Sequence, residues 1–304
     1  MDALPEALQL APHGTYAPGG LTRFVLMLSQ NTFLGRGKAR KFMAACVRRL
    51  SDNQLDAKLF GQNVRLHMHN NSSEVKALMK PGRYARSELD FCATHLPEAG
   101  GVFVDVGANA GLFSLGVLQH MTTGKLVAIE PQPTLFERLR LNLQDFNPRE
   151  ARSVAFSLHN LAVGAENGHL NLYIPDQLGQ ASFHALPDAK PVEVRIRPLA
   201  SILAEAGIEH VDVLKIDVEG YEDEALLPFF ATASRQMWPQ AIIIEHCHRD
   251  RWKRNCQEEL IQIGYDLVGP RPHEPNVFQE SRLRCLACLS AASFPKGFMR
   301  EACF

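Results

Sequence analysis

Three groups of residues have the types and spacing to do chemistry. The first is Val104-Asp105-Val106-Gly107-Ala108-Asn109-Ala110-Gly111, an apolar strand that ends in an acid, turns through glycine and opens into a helix. Gly107 lets backbone approach a ligand closely, and Gly111 allows tight helix–strand packing. About 25 residues after Asp105, Ile129-Glu130-Pro131 puts an acid at the end of the next expected strand, where it can accept hydrogen bonds from both hydroxyls of a ribose. The second group is Lys215, Asp217 and Glu219; Lys215 and Asp217 share one strand face by alternation, and Glu219 lies just past the strand. The third is Glu245, His246 and His248, after the apolar run Ala241–Ile244. With Asp217 these three can form an oxygen–nitrogen site for Mg²⁺, Mn²⁺ or Zn²⁺, although a structural histidine is the simpler expectation.

The glycine loop narrows the ligand class. It departs from G-x-G-x-x-G, because Asn109 stands at the second glycine, and Asp105 precedes it. An acid there repels a diphosphate and attracts a cationic ligand that carries an amino acid. S-adenosylmethionine offers a ribose, an ammonium and a sulfonium together. A nicotinamide-dependent oxidoreductase is the rival enzyme class, and the Gly107-x-x-x-Gly111 spacing disfavours it. A non-catalytic nucleoside-binding module is the other alternative.

These residues need a sheet to present them. From Val102 onward strands and helices alternate: strands at Val102–Val106, Leu126–Glu130, Val154–Leu158, His169–Ile174, Val211–Asp217, Ala241–Glu245 and Tyr265–Val268. Helices fall at Ser87–Leu96, Leu112–His120, Thr134–Leu143, Leu199–Ala206, Glu222–Thr232 and Glu258–Ile263. The pattern predicts a doubly wound, Rossmann-like α/β sheet. Before it, residues 1–79 read as an N-terminal extension. It comprises a loose leader to about residue 20, a basic amphipathic helical stretch over Leu21–Leu50, and a hairpin over Lys58–Met68 that turns at Gly61–Asn63. Residues 80–304 are the expected catalytic domain. The basic stretch fits a solvated helix face, with peripheral contact to an anionic membrane as the sharper possibility.

Bulk composition agrees with an enzyme of this kind. Of 304 residues, 46% are hydrophobic and 21% charged, enough for a core. Lys plus Arg number 32 and Asp plus Glu 33, so no whole-chain footprint for nucleic acid is expected. Seven scattered cysteines predict reduced thiols, and Cys285-Leu-Ala-Cys288, lacking a matching second pair, reads as packed thiols rather than zinc. Met1–Gly20 lacks the basic start of a secretory signal, which leads to the expectation of a cytoplasmic protein.

From Lys80 to His246 the chain resembles the FkbM-type methyltransferases, a branch of the class I S-adenosylmethionine-dependent enzymes. The likeness rests on Pro81-Gly82-Arg83-Tyr84 with Glu88, Asp105–Gly111, Glu130-Pro131 and Asn160-Leu161-Ala162-Val163-Gly164, and above all on Leu214-Lys215-Ile216-Asp217-Val218-Glu219-Gly220 with Ile242-Ile243-Ile244-Glu245. It departs at Pro198-Leu199-Ala200, where the family usually carries an acid in place of Ala200. The resemblance implies methyl transfer by in-line displacement, expected at a hydroxyl of a small molecule, sugar or glycolipid. It implies that Asp105, Gly107, Ala108, Asn109 and Gly111 hold the methionine part, Glu130 and Pro131 the ribose side, and Ala162 the adenine. A hydroxyl acceptor needs a base; Asp217 is the first candidate and Glu219 the second, with Lys215 beside them and His246 as a further candidate. A divalent metal is possible but not favoured.

Overall fold

The computed structural model describes residues 11–51, 53–146, 153–186 and 189–266, and the backbone of 267–268 and 282–286. The chain opens with helices α1 (Gly20–Asn31) and α2 (Gly37–Leu50), then strands β1 (Gln54–Leu59) and β2 (Gln62–His67) and helices α3 (Ser72–Met79) and α4 (Arg86–His95). Strand–helix alternation follows: β3 (Gly101–Val106), α5 (Leu112–Val117), β4 (Thr123–Ile129), α6 (Pro133–Arg140) and β5 (Ser153–His159). After β6 (Ala162–Val163), β7 (Gly168–Ile174) and β8 (Lys190–Arg197) come α7 (Leu199–Glu205), β9 (Val211–Ile216), α8 (Glu222–Thr232), β10 (Pro239–Glu245), α9 (Cys256–Gln262), β11 (Asp266–Val268) and β12 (Arg282–Leu286).

The main sheet runs β11-β12-β10-β9-β3-β4-β5, with β10, β9, β3, β4 and β5 parallel and β12 antiparallel to its neighbours. This is the doubly wound, Rossmann-like arrangement that the alternation predicts. Strand alternation sorts the core into two layers. Phe103, Leu126, Val213 and Ile243 face the layer that also holds the extension, whereas Val104, Val106, Leu214 and Ile244 face α7, α8 and α9. Sequence order reverses between β3 and β9, so the crevice at their carboxyl ends is where such a sheet binds ligands.

Several elements differ from the sequence expectation. The helical stretch from Leu21 to Leu50 breaks at a 3-10 turn over Phe33–Gly35, because Lys80 reaches over to cap the end of α1, its Nζ donating to Gln30 O at 2.7 Å and Thr32 O at 3.1 Å. The hairpin turns one step earlier, through Phe60-Gly61, both at positive φ (54° and 72°), the geometry of a two-residue primed turn. Neither α3 nor strands β6 and β8 stand out from the sequence pattern, whereas β7 matches the strand expected at His169–Ile174. The described part of the leader is tied down: Asp56 accepts the amides of Gly14 (2.7 Å) and Tyr16 (3.0 Å). Asp56 is held in turn by Arg65, with Nε–Oδ1 at 2.7 Å, and the guanidinium lies against the rings of Tyr16 and Phe146. Of the cysteines, Cys92 and Cys256 are buried thiols but Cys247 is exposed; Cys285, as a side chain, Cys288 and Cys303 lie outside the described residues.

Burial alone raises the Asp56 carboxyl, but the Arg65 bonds and the two amides outweigh it and hold it below its ordinary 3.8. Its contribution to stability is therefore present above pH 3.8 and is lost as pH falls through the folded-state value. Asp56→Ala strands Arg65 in the core, and urea unfolding is expected to read a loss of about 3–5 kcal/mol.

Candidate active site

The crevice is built around one close approach. Asp217 follows β9 and donates its amide to Val106 O at 3.0 Å, which brings its own carbonyl against Gly107. Gly107 sits at φ 78°, and a Cβ there would overlap the Asp217 carbonyl oxygen. Only glycine satisfies both constraints.

Glu130 closes the β4 side of the crevice. It is 6% exposed, and its carboxylate accepts the amides of Asn109 at 2.8 Å and Gln132 at 2.9 Å. Burial pushes its pKa up to about 7, against the two amides, with the Asp105 charge adding to the rise and Lys215 opposing it. A carboxylate offers about four lone-pair sites, so two remain for donors from a ligand. Asn109, at φ 54°, is fixed from the extension: Asn71 Nδ2 donates to its Oδ1 at 2.6 Å while Asn71 Oδ1 caps α3. Asn142 lies in a π-turn that continues α6. It donates to Ala110 O at 2.9 Å and accepts the amide of Arg65 at 2.9 Å. Asn71 and Asn142 are positioning residues that the sequence pattern did not single out.

The β9 side of the crevice carries opposite charges in close order. Lys215 Nζ lies 3.4 Å from Asp105 Oδ1 and 3.4 Å from Asp217 Oδ2, over the ring of Phe113. Asp105 is fully buried and also accepts the Ser114 hydroxyl at 2.7 Å. Beyond Asp217, Glu219 adopts φ 54°, an uncommon conformation for a residue with a side chain. Its neighbours hold it there. Ser182 Oγ and Arg251 Nη1 donate to its carbonyl, and Glu222 accepts the amides of Val218 and Gly220. Burial pushes the Glu219 pKa up to about 8, reinforced by the charges of Asp217, Glu245 and Glu222 and opposed by Arg251. Its Oε2 lies 3.1 Å from His248 Nε2.

These groups open onto one cavity of about 1110 Å³. Gly107, Ala108, Asn109, Glu130, Pro131, Lys215, Asp217 and Glu219 line it, together with His248. Asp105, Gly111, Ala162 and His246 do not. Asp105 stands one layer behind, under Lys215. Gly111 packs over Leu139 and Leu143, and Ala162 is buried with Leu172 and Ile196. Alternation after β10 turns His246 away, its Nδ1 buried without a hydrogen-bond partner, and burial lowers its pKa. Among the described residues, no group of three or more His, Cys, Asp or Glu is arranged to hold a metal ion. The wall supplied by the segments before β3 is mainly cationic, with Arg36, Arg40, Lys76, Lys80, Arg83 and Arg86 beside a single acid, Glu88.

The FkbM methyltransferase domain model matches residues 105–267, more than half of the chain and all of this crevice's strand ends. The chain belongs to the FkbM methyltransferase family. Membership favours the methyltransferase expectation over the nicotinamide and non-catalytic alternatives. Methyltransferase sdnD of Sordaria araneosa is 30% identical over 203 residues, 55% of this chain and 74% of that protein. The 31-O-demethyl-FK506 methyltransferase FkbM of Streptomyces tacrolimicus is 28% identical over 158 residues, 42% and 58%. The AMB antimetabolite synthetase AmbE of Pseudomonas aeruginosa is 27% identical over 181 residues, 49% of this chain but 8% of the synthetase. The chain thus spans less than two thirds of the length of two of these three relatives.

The residues present fit the methyl donor. Glu130 has acceptor capacity for a ribose diol, with apolar Pro131 and Leu135 beside it on the wall. Lys215 and Asp217 together offer a cation and an anion to a zwitterionic amino-acid tail. Two outcomes follow, both read by calorimetric titration with S-adenosylhomocysteine. Gly107→Ala is expected to weaken binding by more than about tenfold, since the loop and the Asp217 carbonyl cannot both keep their places. In the wild type, ribose hydroxyls donate to the ionised form of Glu130, so affinity rises by about tenfold from about pH 6 to about pH 8. Glu130→Gln is expected to flatten that dependence.

Proposed function

We propose that this methyltransferase methylates a hydroxyl oxygen of a small molecule, sugar or glycolipid, with Glu219 as the proton acceptor. The observation that carries this reading is the pair Glu219–His248 on the cavity wall, 3.1 Å apart, with a carboxyl pushed up to about 8 in a strained loop. A base with a pKa near the working pH combines adequate basicity with a useful ionised fraction. Asp217, first in order by sequence, serves better as the neighbour whose charge keeps Glu219 basic and whose pairing orients Lys215.

When bound, S-adenosylmethionine supplies an electrophilic methyl group on a sulfonium. The chain's own part is positioning, water exclusion and one proton. Glu130 accepts the ribose hydroxyls, Pro131 and Leu135 give the base an apolar seat, and Gly107–Asn109 present backbone to the amino-acid tail. Glu219 takes the acceptor hydroxyl proton as oxygen attacks, and His248 stabilises the ionised carboxylate before that step. The relative named for a 31-O position supports oxygen as the methylated atom. The cationic wall favours an acceptor that carries negative charge, and Arg36, Arg40 and Lys76 on it support reading residues 1–79 as an extension that completes the acceptor side of a catalytic domain over 80–304.

A panel of hydroxylated acceptors, incubated with methyl-labelled donor and followed by NMR of the product, tests this directly. An O-methyl signal is expected, with kcat rising as pH increases through about 8. Glu219→Gln is expected to lower kcat by about 10²–10⁴-fold while leaving S-adenosylhomocysteine affinity within about twofold. Methylation at nitrogen or carbon, or a Glu219→Gln enzyme with unchanged kcat, would overturn the reading.

A further inference from the structure

We propose that α1 and α2 form a docking surface for an anionic lipid membrane. Six of the seven exposed large hydrophobic side chains among the described residues come from this one segment: Leu21, Phe24, Met27, Phe33, Phe42 and Leu50. Phe33 is 74% exposed and Phe42 68%. Scattered exposed apolar residues are ordinary; their concentration on two neighbouring helices is not.

The helices bury their other faces. Thr22, Leu26 and Ser29 of α1, and Met43, Ala44 and Val47 of α2, turn inward, and the apolar ones among them join the core layer shared with the sheet. At helical spacing this leaves Leu21, Phe24 and Met27 outward on α1, and Lys38, Lys41, Phe42, Ala45 and Arg49 outward on α2.

Charge selects the occupant. Residues 20–50 contain seven Lys or Arg and no Asp or Glu, in a chain whose net charge is −1. The remainder of the protein is therefore net acidic, whereas this segment, where the apolar side chains are exposed, is purely basic. Cations interleaved with protruding Phe and Leu match a bilayer interface, where the rings enter the acyl boundary and the ammonium and guanidinium groups stay at anionic headgroups. An acidic protein would engage the cations but leave Phe33 and Phe42 in water, and a second copy of this basic face would be repelled. No helix among the described residues is long and apolar enough to cross a membrane, so the contact is with the surface of the bilayer. Arg36, Gly37 and Arg40, at the start of α2, line the cavity, so the same seating brings its acceptor side to the headgroups.

Vesicle sedimentation of the full chain tests the proposal, with phosphatidylcholine vesicles containing about 30% phosphatidylglycerol compared with phosphatidylcholine alone. Binding to the anionic vesicles at least about tenfold stronger is expected, weakened but not abolished between about 0.1 M and about 0.5 M NaCl. Phe33→Ser with Phe42→Ser is expected to lower partitioning by about tenfold at either salt, and Lys38→Glu with Lys41→Glu to remove the preference for anionic lipid. These side chains are exposed, so the melting temperature and S-adenosylhomocysteine affinity of both variants should match the wild type; that titration also keeps a failure of the cofactor site separate from a failure of membrane docking. No sedimentation by folded wild-type protein overturns the proposal, as does binding that ignores the Phe substitutions. A concentration-dependent dimer abolished by those substitutions would assign the surface to a second copy instead.

Discussion

The contact between Gly107 and the Asp217 carbonyl sets the geometry on which the rest of the site depends. It joins the turn after β3 to the turn after β9 at the point where the sheet reverses its strand order. Because no side chain intervenes, the glycine loop and the loop bearing Asp217 and Glu219 keep a fixed separation. Methyl transfer demands such a constraint, since sulfur, methyl carbon and acceptor atom have to lie in line. The sheet supplies rigidity, and the missing Cβ supplies closeness.

Charges are stacked in layers behind that contact. Asp105 is buried and pairs with Lys215, which also approaches Asp217, and the run of carboxylates continues through Glu219, Glu245 and Glu222. Desolvation together with the neighbouring charges of Asp217, Glu245 and Glu222 makes the Glu219 carboxyl reluctant to ionise, and Glu219 gains its basicity in this way. The extension then holds the other side: Asn71 fixes Asn109, Asn142 ties β2 to Ala110, and Arg36 and Arg40 reach the cavity. In this chain the segment that precedes the sheet helps to line and brace the candidate site.

The sheet was legible in the sequence because buried parallel strands such as Val102–Val106 and Val211–Ile216 read as apolar runs between helices. The strand-end chemistry was legible for the same reason: Glu130, Lys215, Asp217 and Glu219 follow such runs, and all line the cavity. What escaped is set by tertiary contact. The break between α1 and α2 depends on Lys80, far along the chain. The direction of Asp105 is fixed by Ser114 and Lys215, and the separation of His246 from His248 by the turn after β10. Local pattern placed two histidines near the crevice; the choice between them needed the backbone. The basic run Arg36–Lys41 was visible, but its meaning required knowing that Phe33 and Phe42 stay exposed beside it.

The account's central claim is that one cavity joins a donor half at Gly107–Asn109 and Glu130 to a proton-accepting half at Asp217, Glu219 and His248. A crystal structure of the complex with S-adenosylhomocysteine tests it most directly. The expected result is a ribose within hydrogen-bond distance of Glu130, an amino-acid tail against the Gly107–Asn109 backbone, and the sulfur open toward Glu219 and His248. A nucleoside bound away from Glu130, or a sulfur facing away from the Glu219–His248 pair, would contradict it.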